Sequence, residues 1–268
     1  MGKCEGYLLL SDLDGTLLSR DGTISARNRE AIAGFVAEGG RFGIATGRAH
    51  YSTTWLTQGL AINSPIVVFN GSGVYDTRSG SFLHTDCFAL DMLRGVAADA
   101  MAAFPDIEVL LFERDRVAML TDCFWTNNMP VRERPYFQRA SIDEVGDVIF
   151  KLVFTGDVAL VSQVRAFLDR HPFRNEADLM LASDSCLELL PRGVTKGSGL
   201  TMLARSLGIA PERTMAIGDY ENDAEMLRVA GIAAAPANAM EQILALADLV
   251  VAHHQDGAVA DFLERVFP

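Results

Sequence analysis

Short apolar runs alternate with longer amphipathic ones along the first part of the chain. "YLLLS" is an apolar run of strand length that stops at Asp12 and Asp14. In "SARNREAIAGFVAEGG" the apolar positions Ile32, Phe35 and Val36 recur at helical spacing, Ser25 stands where an N-cap belongs, and Gly39-Gly40 marks a stop. "RFGIAT" predicts a second buried strand, "AHYSTTWLTQGL" a second helix and "PIVVFNG" a third strand. Apolar strands separated by helices predict a parallel sheet covered by those helices.

From about Phe82 the pattern changes. "LDMLRGVAADAMAAF" predicts a helix, but "IEVLLFERDRVAMLTD" predicts a hairpin with a charged turn. "VIFKLVFTG" follows as a strand, "VALVSQVRAFLDRH" as a helix and "LMLASDSCLELLP" as a second hairpin, which together predict an α+β unit with an antiparallel sheet. After Pro191 the strand–helix alternation returns: "KGSGLTMLARSLG" helical, "TMAIGD" a strand, "ENDAEMLRVAG" a helix, "GIAAA" and "ADLVVA" strands with a helix between, and "GAVADFLERVF" a last helix. The expected fold is therefore α/β. Residues 1–81 and 191–268 form a doubly wound, mostly parallel, Rossmann-like core, and 82–190 an inserted α+β domain.

Composition narrows the partners. The net charge of −12 disfavours a nucleic-acid backbone or an anionic membrane surface. No apolar stretch approaches the roughly 20 residues that span a bilayer, and "MGKCEGYLLLSDLDG" lacks the pattern of a signal peptide. Cys4, Cys87, Cys123 and Cys186 are scattered with no CxxC pair, as expected of reduced thiols in a cytoplasmic protein. An acidic chain still binds a small anion where a metal and a few cations line the pocket.

The chemistry-bearing residues fall where strands of the expected sheet end. Asp12 and Asp14 follow the first strand, and Thr46, in "IATGR", follows the second. Asp219, in "AIGDYENDAEML", follows the strand after the insertion, with Asn222 and Asp223 just beyond; Lys196, in "GVTKGSGL", opens a helix. Ligands of open α/β sheets bind outside the carboxyl ends of the strands. Carboxylates converging there repel one another, and a hard cation such as Mg2+ relieves this with oxygen ligands and retained waters. A lysine nearby suits a phosphoryl group.

The ordered set "DLDGT", "TGR", Lys196 and "GDYEND" resembles the haloacid dehalogenase superfamily, in particular its Cof-like branch, type IIB, with an α/β cap inserted between the second and third motifs. "NGSGVYD" and "ELLPRGVTKG" add to the likeness. The resemblance implies a Mg2+-dependent phosphatase of a small phosphorylated metabolite, such as a sugar phosphate. It implies Asp12 as nucleophile and Asp14 as general acid, then base. Mg2+ would lie on Asp12, Asp14 (through its main-chain carbonyl) and Asp219, with Asp223 behind them. Thr46, Gly47, Arg48, Asn70, Lys196 and Asn222 would contact the substrate, Thr46 and Lys196 also serving catalysis by stabilising the transferring group. The cap would choose the leaving group. One departure is "IAAAPANAM", where relatives commonly carry Met-Gly before the residue matching Asn238.

Alternatives are a phosphomutase of the same family and a phospho-accepting receiver module. A receiver places a strand and helix between its acidic pair and its acceptor and has no inserted domain, whereas Asp12 and Asp14 lie two apart. "GVTKGSG" is no Walker A loop, since its lysine precedes the glycines. His253-His254 has no spaced ligand partner, and Trp55 and Trp125 are expected to pack.

Overall fold

The computed structural model describes residues 2–122 and 133–268; Cys123 and Trp125 lie outside the described residues. Strand β1 (Leu8–Ser11) is wholly buried. Helix α1 (Ala26–Ala37) starts where Ser25 accepts the Asn28 N–H at 3.2 Å and buries Asn28, Ile32 and Phe35 on one face. Next come β2 (Arg41–Ile44), α2 (His50–Leu56) and β3 (Ile66–Val68). The third strand is shorter than "PIVVFNG" predicts. Phe69 and Asn70 take the left-handed conformation, with φ of 52° and 56°, and Phe69–Gly71 turn as one 3-10 turn. The chain then returns antiparallel as β4 (Gly73–Asp76), which β5 (Ser81–Thr85) extends. The polar stretch Asp76–Ser81 conceals this hairpin from a reading of apolar runs.

The insertion holds α3 (Leu90–Ala103), β6 (Glu108–Glu113), β7 (Val117–Met119), β8 (Phe137–Arg139), β9 (Ile149–Thr155), α4 (Val158–Leu168), β10 (Ala177–Ser183) and β11 (Cys186–Pro191). Its sheet runs β10-β11-β9-β6-β7-β8. The pairing is antiparallel apart from β7 with β8, which is parallel and corrects the purely antiparallel expectation. Alternation along the strands puts Leu111, Leu152, Phe154, Leu187 and Leu189 into one core with Leu93, Val96 and Ala97 of α3 and Val161 and Val164 of α4. Lys151 and Glu188 point to the other face. Their Nζ and Oε1 meet at 2.6 Å with both side chains about 4% exposed, and Lys151 lies over the Phe112 ring. Removing one member of a buried ion pair strands the other charge, so Lys151→Met is expected to destabilise the chain by about 3–5 kcal/mol. Lys151→Met with Glu188→Leu should cost far less. Denaturant unfolding of the three proteins checks both.

The chain re-enters the first unit through α5 (Lys196–Ser206), β12 (Thr214–Ile217), α6 (Ala224–Val229), β13 (Ile232–Pro236), α7 (Glu241–Leu244), β14 (Leu249–Val251) and α8 (Ala258–Val266). The sheet order is β14-β13-β12-β1-β2, all parallel. A parallel bridge from Ala45 to Val67 carries β3 alongside β2. Strand order therefore reverses at β1, with β2 to one side and β12 to the other. Such a reversal leaves a crevice at the carboxyl ends of the strands. Leu8, Leu10, Ala216, Leu200, Leu203, Met226 and Ile243 pack between this sheet and its helices.

The chain divides into two compact units, one of 1–84 and 195–268, the other of 85–194. The first crossing lies beyond Phe82 because β5 belongs to the first unit's β3-β4-β5 sheet. Cys4, Cys87 and Cys186 are free thiols, and burial pushes Cys186 up to about 12, which favours the neutral thiol over the nucleophilic thiolate. No described helix is long and apolar enough to cross a membrane.

Candidate active site

Strand β1 ends by delivering Asp12 into the crevice, its N–H donating to the Ile217 carbonyl of β12 at 3.0 Å. Asp12 is buried, and Asp14 is half exposed. Between Asp14 and Thr16, Gly15 has φ +77°, and a Cβ on it would collide with the Asp219 carboxylate. Thr16 Oγ1 donates to Asp219 Oδ1 at 2.8 Å, which ties this loop to the end of β12. Asn238 Nδ2 donates to the Gly15 carbonyl at 2.8 Å, and its Oδ1 accepts the His254 N–H at 2.9 Å. His254 Nδ1 in turn lies 2.7 Å from the Leu18 carbonyl, so Nδ1 carries the proton.

Lys196 is the first residue of α5, whose start is fixed by a reciprocal cap. Thr195 Oγ1 accepts the Ser198 N–H at 3.1 Å, and Ser198 Oγ accepts the Thr195 N–H at 3.0 Å. The Lys196 side chain is fully buried, its Nζ 2.6 Å from Asp12 Oδ1 and 2.7 Å from Asp223 Oδ1. The other Asp223 oxygen accepts the N–H groups of Asp219 at 2.9 Å and Tyr220 at 3.1 Å. Asp223 thus closes the turn that presents Asp219 while it braces Lys196.

Thr46 follows β2 and is buried; its N–H donates to the Val67 carbonyl at 2.9 Å, and its carbonyl accepts the Asn70 N–H at 3.0 Å. The left-handed turn at Phe69 and Asn70 brings Asn70 Oδ1 to 3.0 Å from Asn222 Nδ2. Gly47 passes close to that amide, where a Cβ would approach Asn70 Nδ2 to 3.0 Å. Arg48 engages Asp14 with Nε at 2.7 Å and Nη2 at 2.9 Å.

Burial raises the Asp12 carboxyl well above its usual range; Lys196 opposes this, and Asp223, Asp219 and Asp14 add to it. Burial, then Asp223, pushes Asp219 up to about 7. For Lys196 burial works against the charge, but Asp12 and Asp223 outweigh it and raise the ammonium above its usual value. One carboxylate oxygen each from Asp12, Asp219 and Asp223 lies within 4.8 Å of the others. With one lysine, bonded to Asp12 and Asp223, against three carboxylates, the cluster keeps an excess of negative charge. Its donors are all oxygen, so the residues fit a hard divalent cation.

The structure brings Asp12, Asp219, Asp223 and Lys196 into contact, and joins Thr46, Gly47, Asn70 and Asn222 through one turn. Asp14 stands apart from the cluster in side-chain terms, since its carboxylate is engaged by Arg48. Sequence reading missed Thr16, Asn238 and His254 as supports. The His254 bond spans 236 positions, and only the fold reveals it. The "AAAPANAM" segment keeps a defined path: Pro236 ends β13, the Ala237 N–H reaches the Val251 carbonyl at 3.1 Å, and Asn238 is left facing the Gly15 loop.

The haloacid dehalogenase-like hydrolase pattern matches residues 9–263, and the chain belongs to that family. It is 28% identical over 270 residues to the 5-amino-6-(5-phospho-D-ribitylamino)uracil phosphatase YitU of Bacillus subtilis, across 97% of each chain. It is also 31% identical over 272 residues to the chloroplastic endoribonuclease YBEY of Arabidopsis thaliana; that match takes in 96% of this chain and 46% of the plant protein. The chain thus spans about half the length of that relative. A haloacid dehalogenase-like hydrolase from Bacteroides thetaiotaomicron has the same fold, with a TM-score of 0.85 at 24% identity, covering 97% of this chain and 99% of its own.

Proposed function

We propose that the chain is a Mg2+-dependent phosphatase that hydrolyses a small phosphorylated metabolite, such as a sugar phosphate, through an aspartyl phosphate at Asp12. The observation that carries this reading is buried Lys196 bridging Asp12 and Asp223 at the point where the strand order reverses. Family membership and the phosphatase relative support it.

Asp12, the Asp14 main-chain carbonyl and Asp219 would hold Mg2+, which when bound supplies positive charge to the phosphoryl oxygens. Lys196 fixes one oxygen of the Asp12 carboxylate and adds a buried positive charge beside it. Thr46 donates its hydroxyl to the phosphoryl group, and Asn222, braced by Asn70, offers an amide on the same side. An Asp12 oxygen attacks phosphorus, the bond to the ester oxygen breaks, and Asp14 gives its proton to that oxygen. Water then attacks phosphorus, Asp14 takes the water's proton, and the Asp12–phosphorus bond breaks. Inorganic phosphate leaves with both aspartates restored.

A phosphate-release screen over sugar, nucleotide and cofactor phosphates tests the proposal. Release from at least one group of small monoesters is expected. An inert purified protein across the panel with Mg2+ present would contradict it.

A further inference from the structure

Arg48 and Asp14 form a fork, and both partners are anchored from behind. The Arg48 N–H donates to Thr46 Oγ1 at 3.2 Å, and its carbonyl accepts the Phe69 N–H at 3.0 Å. Asp14 is fixed by the buried Leu13 before it and the left-handed Gly15 after it. The guanidinium meets both carboxylate oxygens, Nε at 2.7 Å and Nη2 at 2.9 Å. The two side chains are 32% and 56% exposed, so the pair contributes little to folding stability. What two parallel bonds do fix is direction, holding the plane of the carboxylate as well as its place. They use one lone pair on each oxygen and leave the second for a proton.

We propose that Arg48 is a positioning residue for the proton transfers of Asp14, and not a grip on the phosphoryl group. The proposal rests on the phosphatase reading above, in which Asp14 passes its proton to the leaving oxygen as the phosphorus–oxygen bond breaks. A carboxyl free to swing spends less time within reach of that oxygen. The loss then falls on esters whose leaving oxygen most needs a proton. A residue that held the phosphoryl group would serve every ester alike.

The test measures kcat/KM for wild type, Arg48→Met and Arg48→Lys over substituted phenyl phosphates, from p-nitrophenyl to unsubstituted phenyl. These share the phosphoryl group and nearly share a shape, and kcat/KM reports the steps up to loss of the phenol. Arg48→Met is expected to lose at least about tenfold more on phenyl phosphate than on p-nitrophenyl phosphate, part of the ~100- to 10,000-fold that a placed proton donor supplies. Arg48→Lys keeps a cation without the fork and should fall between the two, with an unchanged melting curve for both variants. A uniform loss across the series would put Arg48 on the phosphoryl group and overturn the proposal, as would no loss at all. Wild-type inactivity on these esters and on the sugar, nucleotide and cofactor phosphates alike would remove the phosphatase reading too, whereas a flat series in an active enzyme removes only the role of Arg48.

Discussion

Asp12→Asn is expected to lower turnover at least roughly a thousandfold while the fold stays intact. An amide of nearly the same size cannot attack phosphorus, so the chemistry is lost at its first step. The fold should survive for reasons specific to this site. Lys196 keeps its 2.7 Å bond to Asp223, and an amide oxygen at position 12 still accepts from Nζ. Burial raises the Asp12 carboxyl well above its usual range, so a neutral side chain removes a charge that the site disfavours. Steady-state assay on the ester that wild type turns over best, with a melting curve beside it, checks both halves. A folded variant retaining more than about a tenth of wild-type turnover would show that Asp12 is not the nucleophile.

The second large effect concerns the metal. EDTA is expected to abolish activity and Mg2+ to restore it, with Zn2+ and Ca2+ poor substitutes. The carboxylate donors are all oxygen, which Zn2+ does not favour over nitrogen and sulfur, and Ca2+ is too large for the compact octahedral geometry that Mg2+ takes. Asp219→Ala should raise the Mg2+ concentration needed for half-maximal activity by roughly tenfold or more. The cause is in the electrostatics. Burial and Asp223 push Asp219 up to about 7 against the opposing pull of the Thr16 hydroxyl and of Lys196, whose ammonium is bonded to Asp12 and Asp223. The Asp219 anion is thus left under-compensated, and a divalent cation would supply the missing positive charge. Titration calorimetry of Mg2+ into wild type and Asp219→Ala reads the same loss without substrate. Full activity in metal-free buffer, or equal Mg2+ binding by both proteins, would contradict the assignment.

Strand length and helical spacing carried the large elements into view. The Ser25 cap of α1, the strand–helix return after Pro191 and the insertion between are local patterns, and each is set by residues near in sequence. The β4–β5 hairpin and β8 escaped notice because short or half-exposed strands have weak alternation, and their partners decide them. The acidic cluster was foreseeable because Asp12 and Asp219 follow the ends of parallel strands, which lie side by side, and Asp223 sits in the turn just after Asp219. The supports were not. Asn238 and His254 act through bonds to main-chain carbonyls of the Gly15 loop, which any residue type could offer. Arg48 showed the same ambiguity, since nothing in "TGR" says whether its fork closes on Asp14 or on a ligand.

The covalent step can be caught directly. Wild-type enzyme mixed with its best ester and Mg2+, quenched within one turnover and treated with borohydride, should have its acyl phosphate reduced to the alcohol. Peptide mass spectrometry is then expected to find homoserine at position 12 in the substrate-treated sample and aspartate there without substrate. An enzyme that turns over while position 12 stays aspartate, or that is reduced at another carboxylate instead, would contradict phosphoryl transfer through Asp12.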